Sequence, residues 1–143
     1  PLNNWNVSNV KNMAFMFNGV SSFNQPLNNW NVSNVRDMAW MFKRAESFNQ
    51  PLNNWNVSNV TNMESMFTGA ESFNQPLNTQ EVTVNGNTYK AWDVSNVKDM
   101  AYMFEGATSF NQPLNNWNVS KVSFMRDMFL RANSMEEKNK PNL

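Results

Sequence analysis

The chain has 143 residues, room for one domain, and its 11 Lys plus Arg are balanced by 11 Asp plus Glu. It contains no Cys and no His, which removes Cys/His zinc sites, disulfides, haem and iron–sulfur ligation, and nucleophilic catalysis built on imidazole or thiol. The zero net charge gives no electrostatic footprint for nucleic acid or an anionic membrane, and no cofactor or metal site is expected.

What is abundant is more informative. There are 29 Asn, 11 Met, 11 Phe and 6 Trp, and no Ile. A hydrophobic content of 41% is too high for a disordered chain, so the bias points to repetition. In chain order, PLN recurs at Pro1, Pro26, Pro51, Pro76 and Pro113. The first three intervals are 25 residues and the fourth is 37. A unit of this length cannot hide its own apolar face, so neighbours must stack.

Within unit two, Leu27, Trp30, Val32 and Val35 have the L-x-x-L-x-L-x-x spacing of a short strand with one apolar side. Val35, Met38, Met41, Phe42 and Ala45 then follow at helical spacing, which predicts about three turns of helix capped by Ser33 or Asn34. Gly19, Gly69 and Gly106 stand where a left-handed C-cap is wanted. The Trp residues at the inward position and the Met pairs are read as core. Recurring asparagines, such as Asn24, Asn49, Asn74 and Asn111, are expected to form ladders between units.

The fold class expected is therefore an α/β repeat solenoid. It is a leucine-rich-repeat-like right-handed coil of five turns, with one short strand and one short helix per 25-residue turn. Units start at 1, 26, 51, 76 and 113, and a single domain spans 1–135. The insertion 79–91 alternates about Asn85-Gly86, which predicts a β-hairpin in turn four. The charged segment 136–143 is read as a tail, frayed rather than capping. A start at Pro1 in mid-pattern reads as a piece of a longer array or a processed segment.

The text FNQPLNNWNVSNVxxMxxMFxxAxSFNQ, carried by residues 1–135, resembles the 25- or 26-residue repeat of bacterial surface proteins and mycoplasma-type lipoproteins, a relative of BspA-like leucine-rich repeats. The resemblance implies a right-handed solenoid in a secreted or wall-attached protein, an extracellular or cell-surface location, and a role as adhesin or host-interaction module. The insertion and the absence of a lipoprotein Cys depart from it.

The candidate interaction surface has two parts. Phe15, Trp40, Ser65, Tyr102 and Asp127 share one position turned away from the apolar stripe. The aromatic members Phe15, Trp40 and Tyr102 either form an exposed row or pack on neighbouring units. The hairpin adds Val82, Val84, Asn85, Gly86 and Tyr89, as a binding element or a tolerated decoration. Outward positions such as Asn4, Asn6 and Ser8 and their equivalents make a neutral, amide-rich face. No nucleophile elbow, phosphate loop, calcium loop or other catalytic constellation is present. The expected function is a non-enzymatic scaffold for a host or neighbouring-cell protein or glycan. The alternative is end-to-end self-association, and neither involves nucleic acid or insertion into a membrane.

Overall fold

The computed structural model describes residues 1–142; Leu143, the last residue of the expected tail, lies outside the described residues. Its units stack in register. Single parallel bridges join Asn12 to Asp37, Asp37 to Asn62, Asn62 to Asp99 and Asp99 to Phe124, so one position of every unit meets its copy in the next.

The expected α/β coil is not what forms. Among the described residues there is no α-helix. The regular elements are two 3-10 turns, at Leu2–Asn4 and Glu137–Asn139, and the strands β1 (Gln80–Val84) and β2 (Asn87–Ala91). The predicted strand and helix of each leucine-rich-repeat-like turn are both replaced by turns, for reasons that the backbone makes plain.

In the PLNNWNVSNV segment, side chains occupy the backbone groups that a strand would offer its neighbour. The Asn31 side-chain oxygen Oδ1 accepts the Ser33 N–H at 3.0 Å, and Asn6, Asn56, Asp93 and Asn118 repeat this bond two residues on. Such Asx turns bend the chain and compete with a ladder. Asn34 does not cap a helix; its amide donates to the Ser8 carbonyl of the preceding unit at 2.7 Å.

In the Met-Phe segment the donors alternate. Met41, Lys43 and Ala45 donate their N–H groups to the carbonyls of Met38, Trp40 and Phe42, three residues back. Met38, Trp40, Phe42 and Arg44 donate instead to Asn62, Glu64, Met66 and Thr68 in the next unit, at 2.8–3.0 Å. An α-helix would turn every one of these bonds inward to the fourth residue back. Positive φ values at Trp40 (62°) and Arg44 (58°) also break the right-handed run, and the same left-handed pair recurs at Phe15 and Gly19, Ser65 and Gly69, Tyr102 and Gly106, and Asp127 and Arg131. The segment is a ribbon of overlapping turns in which the turns 38–41 and 42–45 point both ends inward, while the turn 40–43 between them leaves Trp40 and Lys43 half-buried at the surface. Met38, Met41, Phe42 and Ala45 are therefore all fully buried, and turns that each span three residues mimic helical spacing.

The core is a set of aromatic columns. Phe17, Phe42, Phe67, Phe104 and Phe129 stack with centroids 5.5–5.6 Å apart, and Phe23, Phe48, Phe73 and Phe110 at 5.7–6.0 Å. Trp55, Trp92 and Trp117 form a third column at 6.3–6.4 Å. Each inward indole also has its hydrogen bond. The N–H groups of Trp30, Trp55, Trp92 and Trp117 donate at 2.7–3.0 Å to the carbonyls of Leu2, Leu27, Leu52 and Leu77 of the preceding unit. Asparagine ladders run outside the core: Asn49 donates its N–H to the Asn24 side chain at 2.9 Å, Asn74 to Asn49 and Asn111 to Asn74, each at 3.0 Å.

The tail continues this ladder rather than fraying. Glu136 donates its N–H to Asn111 at 3.0 Å, Leu114 donates to the Asn139 carbonyl at 2.7 Å, Pro141 is buried, and Lys140 lies 5.4 Å over the Phe129 ring.

Candidate interaction site

The Asn85-Gly86 turn joins β1 and β2 in an antiparallel pair that aligns Val82 with Tyr89 and Val84 with Asn87. Alternation puts Val82, Val84, Asn87 and Tyr89 on one face and Glu81, Thr83, Thr88 and Lys90 on the other. The first face folds back over the stack. Val82 and Tyr89 pack against the core, and the Tyr89 hydroxyl donates to the Asn54 carbonyl of unit three. At the base, the Thr79 hydroxyl donates to the Trp92 carbonyl at 2.6 Å and the Trp92 N–H to the Trp55 carbonyl at 3.1 Å. Burial raises the Tyr89 pKa above the usual phenol value, which keeps this donor protonated.

Because the hairpin belongs to unit four but leans over units three and two, it encloses a groove of about 260 Å³. The floor is the buried pair Trp30 and Val32; Asn29, Asn31 and Ser33 of unit two and Asn54 and Asn56 of unit three form one wall. Val84, Asn85, Asn87 and Tyr89 form the other. No lining residue is charged. Val82 sits behind the wall in the core contact, and Gly86 shapes the turn at φ +81° without lining the groove.

The aromatic position behaves differently. Phe15 is 53% exposed, and its ring lies 5.0 Å from that of half-buried Trp40. Trp40 is held by Lys43, whose ammonium lies 3.8 Å above the ring, and by an indole bond to Glu64 at 3.3 Å. Unit three places the buried Ser65 at this position, so half-buried Tyr102 stands beyond a gap. The structure thus joins Phe15 with Trp40, and Val84 and Asn85 with Tyr89, but makes no continuous aromatic row.

The stack also aligns carboxylates. Glu46 and Glu71 occupy one exposed position in successive units. A hydrogen bond shared with Glu46, and then the negative charge of Glu46, raise the Glu71 pKa above the ordinary carboxylate value. Among the described residues, no three acidic side chains converge as a metal cluster would require, and no helix is long and apolar enough to cross a membrane.

The amides of units two and three were visible in the sequence as an outward face. Their enclosure by a hairpin from unit four was not, since nothing local says which way an inserted hairpin leans. Tyr89, the one aromatic ring of the hairpin and on the same face as Val82 and Val84, is the signal that points toward the stack.

Comparison with known proteins places this repeat in a family. A model described as "Mycoplasma protein of unknown function, DUF285" matches residues 1–91 and again 81–142. The chain belongs to that family. No curated protein and no solved structure matches it.

Proposed function

We propose that the chain is a non-enzymatic repeat scaffold of a bacterial cell-surface protein, acting in adhesion through contacts with a partner protein or glycan. The observation that carries this reading is the hairpin of unit four, pinned to unit three by Tyr89 and closing a groove lined by units two and three. Elsewhere the units repeat the same packing and ladder bonds, whereas the hairpin and the Phe15–Trp40 pair present surface that differs from unit to unit. Kinship to BspA-like surface repeats, and with it the extracellular location, rests on the recurring FNQPLNNWNVSNV text. A glycan and host-protein array probed with the intact chain tests the reading. The expected result is at least one interaction weakened tenfold or more by Trp40→Ala with Tyr102→Ala, or by removal of 79–91; interactions indifferent to all of these changes contradict it.

A second reading, association of one stack on another end to end, is supported by the polarity of the unit interface. The carbonyls of Asn12, Ala14, Met16 and Asn18 accept from no other described residue, and the N–H groups of Met125, Asp127, Phe129 and Arg131 donate to none. These are the two halves of the bond row that joins every inner pair of units. Sedimentation over a concentration series decides it: a species of constant mass equal to one chain refutes the association.

A further inference from the structure

We infer that the groove between the hairpin and units two and three is a binding site for an uncharged oligosaccharide. The inference rests on the scaffold reading and names the ligand class of one surface within it.

The groove is supplied with unused amides. The side chains of Asn29, Asn54, Asn85 and Asn87 bond to no other described residue. Asn31 and Asn56 use only their carbonyl oxygens, in Asx turns, and keep both amide hydrogens free. An amide presents both a donor and an acceptor in one plane, which matches neighbouring hydroxyls on a sugar ring. The apolar complement is there as well. Tyr89 is immobilised by its bond to the Asn54 carbonyl, and Val84 beside it offers aliphatic surface to the C–H face of a ring.

The charge pattern argues against anionic ligands. Phosphate, sulfate and carboxylate groups are gripped by Arg or Lys, and none lines this groove. The charged residues of the hairpin, Glu81 and Lys90, are on its opposite face. The site is also built rather than incidental. The same outward amides recur in unit five at Asn116 and Asn118, with no hairpin over them, and there the Asn116 amide is occupied by the Thr79 carbonyl at 2.8 Å.

The test is titration of the full chain with three uncharged tetrasaccharides, built of glucose in α-linkage, glucose in β-linkage and N-acetylglucosamine, followed by calorimetry and by NMR of the side-chain amides. The expected result is saturable binding of at least one, with shifts at Asn29, Asn31, Asn54, Asn56 and Asn87. The combined variant Asn29→Ala, Asn54→Ala, Asn87→Ala removes side chains that hold nothing else in the chain. It should weaken binding at least tenfold with an unchanged melting temperature. Binding unaffected by that variant overturns the inference, as does preference for a sulfated tetrasaccharide over its neutral counterpart. If an array protein is bound but no saccharide is, the groove inference falls and the scaffold reading stands. If nothing is bound on either arm, both fall.

Discussion

At the scale of single residues, tryptophan and asparagine do work that composition alone does not separate from bulk and polarity. Each inward indole fills the core and also satisfies a leucine carbonyl of the preceding unit, so its removal has two costs. Trp92→Phe keeps an aromatic ring in the column but leaves the buried Leu52 carbonyl without its donor, which should cost about 1–3 kcal/mol in denaturant unfolding. Trp5 is the internal control: it is 57% exposed, and Trp5→Phe should change stability by no more than about 0.5 kcal/mol. Glu71 titrates in the opposite sense from a salt-bridged acid. Its folded pKa is raised, so its stabilising contribution is fully present below the unfolded carboxylate pKa and is lost as pH rises through the folded value. Glu71→Gln should therefore raise the melting temperature slightly at pH 7 and have no such effect near pH 3. An equal increase at both pH values would show that Glu46 repulsion is not the cause.

Among the elements, the hairpin is the one whose local chemistry and tertiary placement have separate origins. Asn85-Gly86 and the alternating residues around it specify a two-stranded turn, and that much was legible. Its docking depends on Tyr89 reaching a carbonyl in another unit. Tyr89→Phe should leave the stack folded and cost about 1 kcal/mol of docking, visible as faster hydrogen exchange confined to 80–91. Because the phenol must stay protonated to donate, and its folded pKa is raised, docking is lost only as pH rises through that value, above the ordinary phenol range. Ultraviolet titration of Tyr89 in a Tyr102→Phe background measures it.

The Met-Phe segment teaches the converse. Its buried positions were readable from Met38, Met41, Phe42 and Ala45, but its conformation was not. Burial recurring every third or fourth residue is compatible with a helix and equally with overlapping turns whose ends face one way. What decides between them is where Met38, Trp40, Phe42 and Arg44 send their N–H groups, and that depends on a chain segment about 25 residues distant. In the same way, Asn31 and its copies were readable as outward amides, while their Asx turns remove the strand that the leucine-like spacing suggested.

For the molecule as a whole, stability resides in contacts between adjacent units, since each unit lends half of one turn segment's donors to the next. Such a stack behaves as a sum of nearest-neighbour terms. Excision of 51–75 joins Gln50 to Pro76 and restores the same FNQPLN text at the seam. The shortened chain should fold, with a lower denaturation midpoint and a smaller denaturant dependence because less surface is exposed on unfolding. The hairpin should then meet Asn29 where it now meets Asn54. A chain that fails to fold after this excision would mean that unit three is unique in a way its sequence does not reveal.

The closed base of the insertion carries one more consequence. Thr79 and Trp92 are joined by a hydroxyl–carbonyl bond of 2.6 Å, and Trp92 resumes its column as though the intervening residues were absent. That junction is a socket. Foreign segments whose ends lie as close as those of β1 and β2 should be accepted there with the aromatic columns intact, provided that the fully buried Ala91 is kept and the core contacts of Val82 and Tyr89 are given up or replaced, so the chain is a frame for displaying grafted loops of diverse sequence.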